Sequence, residues 1–503
     1  MRDWLASAAE TYPAKIALLR PQDDFSHLAQ IPYMRLNEQA AHEAAGLAQL
    51  GVGRGDRIGL LMDNGQRYVS LIWGIVRLGA VLVPLNTRLT PNELSYQADK
   101  AGCKLIFCSQ TYEPTAIQLR APERPVYTVG ARCSDEVLPF PVVPSDPAHL
   151  DGEIDLEAVA AIIFTSGTTG KPKGAQLTFG NFYHSAQASA ERLGVSPDDR
   201  WLLALPLYHV GGLSILFRAA LDGTAFAIPS AQPGASPKLD SILDSIQHEQ
   251  ITLISLVPTQ LYRMLELCVE FPPSLRLILL GGAAAPPELI ERCARLNLPV
   301  ATTYGLTEAA SQVATILPDD LRRKPGSVGK PLAGTQVRIA RDDGTPAAPG
   351  EYGEIVVSGK TVMRGYLNEP DSRTLRGGDL YTGDIGYLDD EGDLWLVQRR
   401  SDLIVSGGEN VYPAEVEAVL RQHPAVADAA VIGLPSIEWG QQVAAAVVLK
   451  PGTAATTEAI EAFCKRHLAG YKRPRVICFV PELPMTASGK IQRSAVRALF
   501  EKH

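Results

Sequence analysis

Through the first half of the chain, short apolar runs rich in β-branched residues alternate with segments whose apolar positions recur at helical spacing. Arg57–Leu61, Ala80–Pro84 and Lys104–Cys108 read as buried strands. Between them Tyr68–Leu78 and Pro91–Ala101 read as helices, the second opened by Thr90 as N-cap and Pro91 at its first position. The rhythm resumes with Ala160–Phe164, Trp201–Leu205, Ala225–Ile228, Ile254–Val257 and Leu277–Leu280. Such alternation predicts α/β layers. Ser134 to Asp155, rich in Pro, Asp and Glu, reads as an exposed connection. After about Pro318 the pattern changes, and turn signals at Asp342-Asp343-Gly344 and Asp390-Glu391-Gly392 separate alternating segments, predicting hairpins in a small β-rich subdomain. From about Asp402 the chain turns to mixed α and β and ends in a basic stretch.

Length and composition narrow the class. At 503 residues the chain is long enough for ~3 domain-sized units. Apolar residues make up 46% of it, enough to bury a substantial interior. A net charge of −8 argues against a broad footprint for nucleic acid. The seven cysteines are scattered and form no CxxC pair, which points to reduced, buried thiols and away from a zinc site. No apolar run follows Met1-Arg2-Asp3-Trp4, and the most apolar stretch, Tyr68 to Leu85, is broken by Arg77 and Gly79. It reads as a buried helix and strand, without a membrane span, and the expected location is cytoplasmic.

The most informative segment is Thr165-Ser166-Gly167-Thr168-Thr169-Gly170-Lys171-Pro172-Lys173-Gly174, directly after a predicted strand. Small residues let backbone wrap closely around phosphate, hydroxyls and amides donate to its oxygens, and two lysines add charge. It is not the usual P-loop of nucleotide triphosphatases, because two residues separate its glycines and proline follows Lys171.

This segment resembles the phosphate loop of the acyl-adenylate-forming superfamily, which includes acyl-CoA synthetases, luciferases and adenylation domains. Further matches follow in order: Tyr304-Gly305-Leu306-Thr307-Glu308, Tyr381-Thr382-Gly383-Asp384, Ser406-Gly407-Gly408-Glu409-Asn410 and Pro484-Met485-Thr486-Ala487-Ser488-Gly489-Lys490. The resemblance implies a large N-terminal domain, residues 1–401, of layered α/β subdomains plus the β-rich subdomain. A small mobile α+β domain, residues 402–503, would follow a hinge near Ser401-Asp402. It implies ATP, Mg2+ and coenzyme A as cofactors, with a small carboxylic acid as partner. It leaves self-association open.

The implied roles make chemical sense. Glu308 resembles the magnesium-binding glutamate, with Thr307 donating to phosphate. Asp384 resembles the aspartate that accepts the ribose hydroxyls, and Arg399, fifteen residues on, would be the second ribose contact. Gly281-Gly282-Ala283 would let purine and acyl group lie against backbone. Gly407 and Gly408 would let backbone approach the pantetheine arm. The basic residues around Lys472 either meet CoA phosphates or form a solvated face. Gln398 and Ser401 depart from the common hinge pattern without removing a catalytic group.

For the acid, Leu205-Pro206-Leu207-Tyr208-His209-Val210-Gly211-Gly212 through Arg218, and Thr307 through Thr315, resemble the o-succinylbenzoate–CoA ligases of menaquinone and phylloquinone biosynthesis. Gly211 departs from several of those relatives, which carry Ser there. His209 would gate the acyl pocket and Ser311 would donate to the acid. Arg218 is a lone cation on an otherwise apolar helix; it meets a second substrate carboxylate or a structural Asp or Glu, or it emerges into solvent. Three other readings stay open: a ligase for another aromatic or dicarboxylic acid, a module that loads a carrier protein, and a catalytically silent nucleotide-binding protein.

Lys490 carries the sharpest mechanistic expectation. Carboxylate attack on an α-phosphate gathers negative charge on both partners, and an ammonium touching both stabilises that transition state. Lys490→Ala should abolish adenylation, followed as acid-dependent pyrophosphate release, yet largely spare CoA transfer from supplied acyl-adenylate. Equal loss of both half-reactions would remove that role.

Overall fold

The computed structural model describes residues 1–21, 28–130, 134, 136–141, 152–165, 172–268, 270–369, 374–398, 403–484 and 491–500. The chain divides into two compact units. The first gathers Met1–Thr87, Ala98–Ile163 and Gly174–Val397; the second gathers Arg88–Gln97, Phe164–Lys173 and Gln398–His503.

Two sheets organise the first unit. The larger has 14 strands and changes character midway. From Ile16–Pro21 through Ala225–Ala227, Arg200–Leu202, Leu253–Leu256 and Leu277–Leu280 to Val300–Leu306, neighbours are parallel. These strands are near-continuous apolar runs because helices cover both faces, and every residue of Leu277–Leu280 is buried. From Val300–Leu306 onward, the pairings with Ser311–Ile316 and then Ser327–Pro331 are antiparallel. The two predicted hairpin turns lie between Thr335–Ala340 and Gly353–Gly359, and between Asp379–Leu388 and Leu394–Gln398. The β-rich segment is therefore no separate sheet: it continues the parallel one.

The second sheet has eight strands, with Val81–Pro84, Arg57–Leu61 and Leu105–Cys108 as parallel neighbours in that order. The strand Arg57–Leu61 lies between the two that follow it, so successive connections leave it in opposite directions. The predicted Pro91–Ala101 helix is observed with those bounds, and its start is closed by a reciprocal box: Glu93 accepts from the Thr90 N–H at 2.8 Å, and Thr90 Oγ1 accepts from the Glu93 N–H at 3.4 Å. Within the predicted exposed connection, Val137 and Ile154 are buried, and residues 142–151 lie outside the described residues.

The apolar stretch around Arg77 resolves as expected into a helix, Gln66–Arg77, and a strand, Val81–Pro84. Arg77 ends that helix inside the protein, its side chain 4% exposed, and donates from Nε and Nη2 to Asp3 Oδ2 at 2.9 and 2.7 Å. Asp3 is itself the N-cap of Trp4–Thr11, accepting from the Leu5 N–H at 2.9 Å. One carboxylate thus caps one helix and neutralises the end of another.

The second unit carries a five-stranded sheet built on the long Val426–Ser436 and Gly440–Leu449 pair. Lys472 departs from both expectations for it. It is 3% exposed and donates to Glu93 Oε1 and Glu415 Oε1, each at 2.7 Å. It is neither on a solvated face nor available to a phosphate.

The Asp3–Arg77 pair yields a stability prediction. Asp3→Ala would leave a buried guanidinium without its carboxylate, a change that costs roughly 3–5 kcal/mol. Urea denaturation should register a loss of that size. A loss below about 1 kcal/mol would assign the pair the weight of an exposed ion pair.

Candidate functional site

The strand at which the larger sheet turns from parallel to antiparallel carries the first cluster of expected residues. Val300–Leu306 and Ser311–Ile316 form a hairpin whose register shifts between Tyr304 and Gly305. The bulge brings backbone so close that a Cβ on Gly305 would lie 1.8 Å from the Ser311 carbonyl oxygen, so only glycine fits. Thr307–Ala309 form a single 3-10 turn, and the next two residues take positive φ, 51° at Ala310 and 98° at Ser311. Neither is glycine, so the backbone holds strain where the expected acid-binding serine lies. Ser185 Oγ donates to the Ala310 carbonyl at 2.7 Å and fixes the turn. The Ser311 hydroxyl makes no hydrogen bond to any described residue.

The carboxylates flanking this hairpin are oriented by phenols. Tyr304 Oη donates to Asp384 Oδ2 at 2.7 Å, bringing together two residues that sequence placed in separate motifs. Asp384 follows Gly383, whose φ of 75° suits glycine and whose N–H donates to Glu354 Oε1 at 2.8 Å. Thr382 Oγ1 accepts from the Asp384 N–H at 3.1 Å. On the other side, Tyr366 Oη donates to Glu308 Oε1 at 2.6 Å, and the Met363 N–H donates to the Glu308 carbonyl at 2.8 Å. Sequence reasoning missed Tyr366, because one tyrosine after a glycine carries no distinguishing pattern. Among the described residues no group of three or more His, Cys, Asp or Glu could hold a metal. A single carboxylate such as Glu308 suits Mg2+ held mainly by phosphate and water oxygens.

Gly281, Gly282 and Ala283 follow the buried Leu277–Leu280 strand. A Cβ on Gly281 would lie 2.8 Å from Thr303 Cγ2, and Gly282 has a φ of 79°. The neighbouring strand thus demands glycine there in its own right.

His209 is the N-cap residue of the helix Val210–Asp222, its ring 4.7 Å from that of Tyr208. That helix starts tightly, since a Cβ on Gly212 would lie 2.2 Å from the Pro206 carbonyl oxygen. Two and a half turns on, Arg218 is 3% exposed, and its guanidinium lies 5.7 Å from the Trp201 ring. Its Nε and Nη2 are buried and have no hydrogen-bond acceptor among the described residues. Burial pushes its pKa down to about 10, opposed by the nearby charge of Asp222. Burial pushes the Asp222 carboxyl up to about 6, with Arg218 opposing. Asp222 is thus an electrostatic neighbour and not a hydrogen-bonded partner. Neither a bonded structural carboxylate nor solvent, the two bland fates for this arginine, is what surrounds it.

Within the second unit, Thr165 ends the strand Val159–Thr165 and Lys173 begins Lys173–Thr178. Gly407 and Gly408 have φ of 60° and 83°, and a Cβ on Gly407 would lie 3.0 Å from Trp439 Cε3. Ser166, Gly167, Thr168, Thr169, Gly170, Lys171, Arg399, the hinge Ser401-Asp402 and Lys490 lie outside the described residues.

The six described cysteines are all free. Burial pushes Cys103 and Cys108 up to about 12 and Cys293 and Cys464 up to about 11, as expected of inert thiols. No helix among the described residues is long and apolar enough to cross a membrane.

Comparison with known proteins adds independent findings. Residues 5–367 match the family described as AMP-binding enzyme, and residues 415–490 match the AMP-binding enzyme C-terminal domain. A 2-succinylbenzoate–CoA ligase of Bacillus cereus is 42% identical over 508 residues, covering 100% of this chain and 99% of the relative. A double mutant of the Bacillus subtilis o-succinylbenzoate CoA synthetase, bound to the product analogue OSB-NCoA, superposes with a TM-score of 0.88. It is 37% identical and the match covers 99% of this chain and 98% of that one. The same synthetase in complex with ATP and magnesium gives a TM-score of 0.71 at 36% identity, covering 99% of each chain.

Proposed function

The chain belongs to the family of AMP-binding enzymes, and on that premise we propose that it is an o-succinylbenzoate–CoA ligase. It would activate one carboxylate of the acid with ATP, releasing pyrophosphate, and then pass the acyl group from AMP to the thiol of coenzyme A. Its full-length relative is named for this activity. The synthetase of similar structure has been seen with a CoA product analogue, and with ATP and magnesium. Menaquinone or phylloquinone biosynthesis is the corresponding role, and six free cysteines among the described residues, four of them buried, suit the cytoplasm.

The observation that carries the choice of acid is Arg218. A buried guanidinium with two nitrogen donors that no described residue satisfies is costly unless an anion arrives. o-Succinylbenzoate has a second carboxylate that is held and not activated, whereas a plain fatty acid has none. Val210–Asp222 supplies both ends of such a site: His209 at its start gates the acyl group, and Arg218 farther along anchors the second carboxylate. Ser311, its hydroxyl bonded to no described residue, would donate to the acid.

The remaining roles are those the family resemblance implies, and hydrogen bonds support two of them. Asp384, steadied by Tyr304, accepts from the ribose, with Arg399 beside it in role. Glu308, steadied by Tyr366, offers its carboxylate to magnesium. Magnesium, when bound, neutralises phosphate charge as pyrophosphate leaves. Thr165 through Lys173 cradle the phosphates, Thr307 donates to them, and Lys490 spans the attacking carboxylate and the α-phosphate. Gly281 through Ala283 give purine and acyl group a backbone surface, and Gly407 and Gly408 admit the pantetheine arm. We assign the domain division to residues 1–401 and 402–503.

Thioester formation across o-succinylbenzoate, benzoate, malonate and octanoate tests the activity and its acid together. We expect a strong preference for o-succinylbenzoate. Arg218→Ala should raise its Michaelis constant roughly tenfold to a hundredfold, the range for one charge-assisted hydrogen bond, and leave benzoate unchanged. A wild-type preference for another acid would overturn the function. An unchanged constant in the folded variant would overturn the anchor.

A further inference from the structure

Away from the site described, the first unit holds a cleft of about 860 Å³. It lies beyond the carboxyl ends of Arg57–Leu61 and Leu105–Cys108, since Met62 to Gln66 follow the first strand and Ser109 to Thr111 follow the second. These two strands flank the point where the order reverses: Arg57–Leu61 connects first to Val81–Pro84 on one side, and the chain then returns to Leu105–Cys108 on the other. In open parallel sheets such a reversal leaves a crevice in which ligands bind.

Three side chains lining the cleft keep polar atoms that bond to no described residue. Glu43 is 3% exposed, and its Oε2 has no hydrogen bond among the described residues, while Oε1 accepts from Ser70 Oγ at 3.2 Å and forms an ion pair with Arg67 Nε at 2.9 Å. Ser109 Oγ is buried and unpaired. Arg67 spends only Nε on Glu43 and stacks its guanidinium 5.7 Å from the Phe140 ring, its remaining N–H groups bonding to no described residue. Arg67 also stands in the first turn of Gln66–Arg77, a 12-residue helix whose N-cap is Gly65, with no side-chain cap and no acidic residue in that turn. Its first N–H groups therefore add donors beside the guanidinium. Met62, Phe140 and Ile228 line the cleft with apolar surface.

We propose that this cleft is a second small-molecule site, for an amphipathic organic acid that also carries a hydroxyl or amine. The acid group meets Arg67 and the start of the Gln66–Arg77 helix, and the donor meets Glu43. The apolar body lies against Phe140 and Met62. Unlike the Arg218 site, it needs both a donor and an acceptor from its ligand, so the two select different molecules. The inference is independent of which acid the enzyme activates.

A fluorescent probe of this chemistry, 1-hydroxy-2-naphthoate, titrated into the full chain tests it. Saturable binding of one equivalent is expected. Arg67→Ala should weaken it about tenfold or more, and Glu43→Gln by less. Arg67 is more than half exposed, so the variant should still fold even though Glu43 loses its ion pair, and thermal melting checks that. Arg218→Ala should leave the probe's affinity unchanged. No saturation by about 1 mM, wild-type affinity in both Arg67→Ala and Glu43→Gln, or loss of binding in Arg218→Ala would each overturn the proposal.

Discussion

The candidate site depends on how tightly one hairpin can turn. Val300–Leu306 and Ser311–Ile316 reverse direction within four residues at the place where a parallel sheet becomes antiparallel. With a Cβ excluded at Gly305 and two non-glycine residues held at positive φ, the backbone has little freedom. That rigidity sets where Tyr304, Thr307, Glu308 and Ser311 stand. More distant strands supply the rest: Asp384, on Asp379–Leu388, reaches back to the Tyr304 phenol, and Tyr366, on the edge of the eight-stranded sheet, reaches across to Glu308. Pre-organisation of this kind is what a site needs if charge is to be stabilised as it develops.

Buried charges divide into those the fold satisfies and those it does not. Arg77 is answered by Asp3, and Lys472 by Glu93 and Glu415. Arg218 and Glu43 each keep a buried polar atom without a partner. A fold tolerates few such atoms because each costs about 1–3 kcal/mol when left unmade. Glu415, although paired to Lys472, also keeps Oε2 without a hydrogen bond among the described residues. Arg218 and Glu43 line different parts of the molecule, and for each we propose a ligand as the physical resolution.

Much of this was legible in the sequence, for definite reasons. Leu277–Leu280 and Arg57–Leu61 were readable because both faces of these strands are covered and their apolar runs are unbroken. The motif glycines were readable through the family resemblance, and at Gly305 close backbone approach leaves no alternative residue. What pattern could not reveal was pairing over long separations. Tyr366 on Glu308 and Asp3 on Arg77 depend on tertiary geometry that spacing does not encode. Lys472 shows the same limit from the other side, since a lysine amid other basic residues looks solvated until two glutamates from distant segments close on it. The β-rich segment was recognised by its turns, while its continuity with the parallel sheet was invisible, because edge pairing leaves no mark in composition.

If the hairpin's strain is kept for function, Ser311 is where stability and activity should part. Serine at a φ of 98° is held against a local penalty of roughly 1–3 kcal/mol, which glycine would relieve. The decisive measurement is the melting temperature of Ser311→Gly alongside its Michaelis constant for o-succinylbenzoate. The account predicts an equal or higher melting temperature with a severalfold higher constant. A variant that melts no lower and keeps the wild-type constant would show that the strained serine serves no substrate, and would contradict it.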